Sequence, residues 1–334
     1  MIDFTDTTIE LPTLYEYWVS LKGIDYYAFK RFTESRQAII NSFVVLPLKS
    51  DPTKEDTDRD GYLDHADPRP LKSDVTYLGI KDEKYVPIIN PDGDASYGGN
   101  QGWFPEDNKL SVDYILNYYG CGTIGASDLF LYFALKDTKY ENKITNMAIK
   151  DNMINYSDYM NYVRYINETY THTPRWLGVP GPSLSNAINS YFKYAGINHK
   201  ASWPLSFSKS EMLDKIEEML EKDIPVIFSI GPNTPDLWGE TMVNLYYQKK
   251  KGDEHYDGTL NELYQYDEND KRSTKINGHY MTITGIIKDK LSTKHNIMLR
   301  ISSWGNLYYV DYDEYREYIE NEGDKWTSSM IYIK

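Results

Sequence analysis

Cysteine is almost absent: Cys121 is the single one in 334 residues. That excludes an internal disulfide framework and a thiolate zinc site, and it leaves one thiol to be read as core filler or as a reactive group. Long apolar runs are missing too. The best are short segments such as 224–230, well below the ~18 to 20 residues that span a bilayer, so no membrane insertion is expected. Positive charge is scarce, with 36 Lys and Arg against 50 Asp and Glu and a net charge of −14. Such a field repels phosphate backbones and anionic head groups, which argues against nucleic acid and membrane-surface partners. The first 20 residues scatter Asp3, Asp6, Glu10 and Glu16 among apolar positions and lack the basic start and apolar centre of a signal peptide. Either the protein stays inside the cell or Met1 follows a trimmed leader.

What is present suggests two unequal units, because a single core stops growing near ~250 to 300 residues. Leu14, Tyr17, Trp18 and Leu21 fall at helical spacing behind Thr13 and Glu16, and a second helical stretch covers 28–43. After Pro68 and Pro70 the texture becomes strand-like at 75–80 and 85–89, which puts a boundary near Asp74, between units 1–74 and 75–334. Within the larger unit 122–135 is apolar almost all round, as in a centrally buried helix. The stretch 183–195 is periodic and ends at Gly196, and Ser208 with Glu211 caps a third helix. The segments 224–230, 279–287, 297–302, 308–311 and 330–333 are short and β-branched or aromatic, and predict an antiparallel sheet. Helices first and strands after them predict an α+β fold. The polar stretch 249–277 is expected to be an exposed insertion.

Seven acidic residues crowd into 51–67. Asp56, Asp58, Asp60, Asp64 and Asp67 stand at loop positions 1, 3, 5, 9 and 12, with Gly61 at 6 and the apolar Leu63 at 8, which is EF-hand loop spacing. Carboxylates at that spacing, with the Tyr62 carbonyl, can wrap one calcium ion, and Gly61 permits the sharp turn. Asp67 replaces the usual Glu at position 12. A solvated acidic linker is the competing reading.

Cys121 sits in Tyr119-Gly120-Cys121-Gly122-Thr123, directly ahead of the apolar helix. Orphan N–H groups and the positive end of the helix dipole would face the sulfur, lower its pKa and offer an oxyanion site, while the flanking glycines would keep a carbonyl substrate's path open. A buried cysteine behaving as a small hydrophobe is the alternative. A base must come from elsewhere. His279, 158 residues downstream in Asn277-Gly278-His279-Tyr280, opens a strongly β-patterned strand and is better placed than the other five histidines.

Gly-Cys-Gly opening a buried helix, Gly-His-Tyr opening a late strand and Ser302-Ser303-Trp304-Gly305 closing a later one resemble papain-like cysteine peptidases. The nearer likeness is to the bacterial branch similar to bacteriocin leader-processing peptidases, over roughly 76–334. The resemblance implies a papain-like fold and peptide or protein substrates. It also implies that Ser302 stands where the family has the Asn or Asp that orients the imidazole. The family's oxyanion glutamine has two candidates, Asn117 shortly before the cysteine and Gln101, and Trp304 resembles the indole that shields the histidine. Asp51-Pro52 and Asp67-Pro68 around the acidic loop resemble thrombospondin type 3 and related calcium repeats of secreted bacterial proteins. That implies structural calcium and an extracellular or cell-surface location. The expected chemistry is acyl transfer by a thiolate–imidazolium pair. The rival is an inactive papain-fold binding module, since Ser302 brings no charge to the histidine, and residues 1–50 could also act as a propeptide. Nothing in the sequence bears on oligomeric state.

Overall fold

The computed structural model describes residues 56–59, 73–137, 140, 149–150, 153–204, 207–231, 243–248, 263–265, 275–276, 278–292, 295–321 and 328–334. The helices expected in 14–43 lie outside this set, as do Asp60, Tyr62, Asp64 and Asp67 of the acidic loop. The chain divides into one unit of Met1–Thr76 with His255–Asn261, and a second of Tyr77–Glu254 with Glu262–Lys334. In the first, Asp56 begins a turn in which its Oδ1 accepts the Arg59 N–H at 2.6 Å.

Ser111 caps helix α1 (Val112–Tyr119) by accepting the Tyr114 N–H. Helix α2 (Cys121–Lys136) starts one residue later, so Gly120 ends one helix and caps the next. A Cβ on Gly120 would collide with the Leu116 carbonyl, which explains the glycine without reference to chemistry. As its apolar circumference predicts, α2 is buried from Gly122 to Ala134. Helix α3 (Tyr156–Ile166) follows a cap at Asn155, and α4 (Gly181–Ala195) ends at left-handed Gly196. The rings of Phe130 on α2 and Tyr191 on α4 stack at 3.7 Å. Helix α5 (Lys209–Glu221) begins at the Ser208 cap, and α6 (Tyr312–Asn321) lies between the last two strand segments. The patterning named α2, α4 and α5. It missed α1, α3 and α6, although their apolar and polar sides contrast at least as strongly as those of α4 and α5.

The sheet has seven strands: β1 (Val75–Gly79), β2 (Val226–Ile230), β3 (Tyr246–Gln248), β4 (Leu263–Gln265), β5 (His279–Asp289), β6 (Ile297–Ser303) and β7 (Asn306–Asp311). Their order is β1-β5-β6-β7-β3-β4, with β2 also paired to β5. The long β5 runs antiparallel to β2 from His279↔Ile230 to Ile283↔Val226, and to β6 from Thr282↔Ser302 onward. The described residues therefore form a mixed α+β fold with an antiparallel sheet, and α2 lies against it: a Cβ on Gly125 would sit 3.5 Å from the Ile227 side chain.

Two expectations are corrected. The run 85–89 is not a strand: Tyr85 adopts left-handed backbone at φ 59°, which breaks extension, and only the isolated bridges Ile88↔Ile154 and Ile89↔Ala95 form. The stretch 249–277 is not merely an insertion, since Leu263–Gln265 extends the sheet by pairing with β3. Three residues are too few for alternation to register in sequence. Among the described residues, no helix is long and apolar enough to cross a membrane.

Candidate active site

Cys121 is the first residue of α2 and His279 the first of β5, and both line one small cavity of about 20 Å³ with Gln101, Asp128, Ser303 and Trp304. The two elements meet because Gly122 has no side chain: a Cβ there would sit 3.3 Å from the Tyr280 ring and 3.5 Å from Leu184. This glycine lets the helix start pack closely on the strand.

The thiol is half-buried. Burial pushes its pKa up, and the backbone N–H groups of Tyr280, Gly122 and Cys121 itself work in the opposite direction without prevailing. The helix start is where the sequence placed it, but the expected lowering of the thiol pKa is outweighed by desolvation. His279 is likewise buried, and burial lowers its pKa to about 4. Near neutral pH each group by itself is uncharged.

The imidazole is held on two sides. Its Nε2 lies 2.9 Å from the Ser303 hydroxyl, and its ring stacks on Trp304 with centroids 4.6 Å apart and 22° between planes. A Nε2–H that donates to Ser303 leaves Nδ1 as the basic nitrogen of the ring. Trp304 and Gly305 form the two-residue turn between β6 and β7, both at positive φ, 48° and 75°, as a type I′ hairpin turn requires. A tryptophan in that backbone region is strained, and the turn sets its indole over the histidine.

Ser302, expected to orient the ring, does not touch it. Its hydroxyl donates to the Tyr97 carbonyl at 2.6 Å. The reason is strand parity: Ser302 pairs with Thr282, so the next residue shares the face of Met281 and His279.

The two oxyanion candidates turn out to be bonded to each other. Gln101, on a short 3₁₀ turn capped by Asn100, donates Nε2 to the Asn117 carbonyl at 2.8 Å. Its amide carries a second N–H, and its side chain lines the cavity. Asn117 instead donates Nδ2 to the Phe104 carbonyl at 2.6 Å. Gln101 thus lines the cavity that Cys121 also lines, and Asn117 does not.

Asp128 escaped the sequence reading. It lies seven residues after Cys121 on the same helical face, lines the same cavity and is 2% exposed. The available signal was a single carboxylate within an otherwise uncharged helix interior, and a buried charge is the informative exception in such a segment.

No known family model, curated protein or solved structure matches this chain.

Proposed function

We propose that the chain is a papain-like cysteine hydrolase that cleaves a peptide or amide bond, with Cys121 as nucleophile and His279 as general base. The observation that carries this reading is the convergence of helix start and strand start on one cavity, which the Gln101 side chain also lines, with the histidine's Nε2 on Ser303.

With both groups uncharged at rest, Nδ1 takes the thiol proton as sulfur attacks the carbonyl carbon. The Cys121 N–H at the helix start and the Gln101 amide would then stabilise the oxyanion. The imidazolium next gives its proton to the leaving amine, and water hydrolyses the thioester with His279 again as base. Ser303 accepts from Nε2–H throughout and keeps the tautomer in which Nδ1 is basic.

The test is the pH dependence of Cys121 alkylation by iodoacetamide, read by mass spectrometry in the parent and in His279→Ala. A parent rate at pH 7 at least about tenfold above the variant's supports general-base assistance. Equal rates that follow an ordinary buried thiol remove it. The second reading, an inactive binding module, is favoured by one observation: burial drives both groups toward neutrality in a cavity of about 20 Å³. In that case Cys121→Ala keeps every binding property of the parent.

The 56–67 loop would hold calcium as a structural ion, consistent with a calcium-rich extracellular or cell-surface setting. Its donor set is all oxygen and begins with a turn at Asp56. Chelation should lower Tm by several degrees and leave the alkylation rate unchanged; a Tm indifferent to chelator removes the calcium assignment.

A further inference from the structure

Along α2, Cys121, Ile124, Gly125 and Asp128 follow the i, i+3, i+4, i+7 pattern and line one cavity. A carboxylate buried on that face is unfavourable unless donors are built to meet it, and two are. Its Oδ2 accepts the Gly99 N–H at 2.9 Å and its Oδ1 accepts the Tyr159 O–H at 2.8 Å. Glycine at 99 allows this approach, because a Cβ there would collide with the Tyr159 hydroxyl.

The segment held by these bonds touches both remaining parts of the site. Gly99 stands two residues before Gln101. Its carbonyl accepts the Gly305 N–H at 2.9 Å, the Tyr97 N–H donates to the Gly305 carbonyl at 2.8 Å, and the Tyr97 carbonyl accepts the Ser302 hydroxyl. Residues 97–101 therefore clamp the turn that lays Trp304 on His279.

We propose that Asp128 is a positioning residue whose ionised carboxylate fixes the 97–101 segment, and through it both the Gln101 amide and the Trp304–Gly305 turn against His279. The proposal rests on the hydrolase reading for its consequence, but the clamp itself is a property of the fold. The groups that face the carboxylate are Tyr159 from α3, Tyr85 and the Gly99 N–H from the segment before α1, the Ser302 hydroxyl from β6, and His279 from β5 across the cavity. With His279 neutral above about pH 4, none of these brings a positive charge at pH 7. Burial accordingly pushes the Asp128 carboxyl up to about 7, against the pull of Gly99 and Tyr159. Protonation replaces an acceptor by an O–H and loosens the clamp, so the site should tighten as pH rises through neutrality.

The experiment is a pH titration of the ¹⁵N-labelled full chain from pH 5 to 9, alongside iodoacetamide alkylation of Cys121 over the same range. In the parent, the Gly99, Gln101 and Gly305 amides should shift together with a midpoint near pH 7, and the alkylation profile should carry an inflection at that midpoint. Asp128→Asn should abolish both while His279 still accelerates the thiol. Tyr159→Phe, which removes one bond to the charged form, should move the midpoint upward; it also serves if Asp128→Asn does not fold. Amides that fail to titrate in the parent, or an inflection that survives in Asp128→Asn, overturn the proposal. If Cys121 shows no dependence on His279, the hydrolase reading fails, and the amide titration still decides the clamp.

Discussion

The C-terminal end of helix α2 and its cavity-lining half treat a buried carboxylate in opposite ways. At the C-terminal end, Asp223 is 3% exposed and meets Lys136 Nζ at 2.7 Å, the Lys81 N–H at 2.8 Å and the Tyr132 hydroxyl at 2.5 Å. Burial acts to raise its pKa, but the Lys136 ammonium and these donors outweigh it, and the carboxyl is held below its usual range. Midway along the helix, on the face that lines the cavity, Asp128 has two neutral donors and rises to about 7, and the same cavity holds a thiol pushed up and a histidine pushed down by burial. One region is compensated and anchors helix to sheet. The other holds three groups in uncomfortable protonation states within one cavity, which is where chemistry is expected rather than stability.

The sharpest contrast pairs one substitution at each end. Cys121→Ala should abolish hydrolysis of a denatured protein such as casein while leaving the unfolding free energy within about 1 kcal/mol of the parent. Asp223→Ala should lower that free energy by about 2–4 kcal/mol, through lost charged hydrogen bonds, and leave Cys121 alkylation within about twofold. Loss of alkylation in Asp223→Ala would mean that the two ends are not separable.

Next in size is the oxyanion pair. Gln101→Ala should reduce turnover by about 10²-fold, as loss of one oxyanion donor does, whereas Asn117→Ala should change it less than about threefold because its side chain bonds Phe104. Equal losses in steady-state assays would return Asn117 to the site. Trp304→Ala should admit water to the imidazole and raise the His279 pKa from about 4 toward 6.5, followed by its ring proton shifts. A value that stays near 4 would assign the burial to other neighbours.

The smallest effects are opposed pH slopes in stability. His279 is depressed in the fold, so its contribution is present above about 6.5 and lost as pH falls through about 4. Asp128 is raised: between about 4 and about 7 the folded state keeps a proton that the unfolded state gives up, so stability declines as pH rises over that window. Denaturant titrations should show the acid-side loss reduced in His279→Gln and the decline toward neutrality reduced in Asp128→Asn, each on the order of 1–3 kcal/mol. Unchanged slopes in both variants would leave neither group perturbed by burial.

Periodicity and capping were enough to place Cys121 at the start of a buried helix and His279 at the start of a strand, because apolar circumference and β-branched runs are local properties of a chain. The cap at Ser208 and the left-handed end at Gly196 were legible for the same reason. Helices α1, α3 and α6 were missed although their apolar and polar sides contrast as strongly as those of α4 and α5, so periodicity alone could have found them. Strand register was the next loss: which of Ser302 and Ser303 meets the imidazole depends on pairing with β5, and a step of one residue exchanges the faces. The pKa directions followed the same pattern. Helix position is written in the chain, but desolvation is set by everything packed around it, and at Cys121 desolvation prevails. The sequence by itself determined which residue types stand at the helix and strand starts, since those follow from local hydrogen bonding and spacing. Only the tertiary structure decided that Ser303, Gln101 and Asp128 share their cavity, because contacts between residues tens to hundreds of positions apart exist only once helix and sheet have packed.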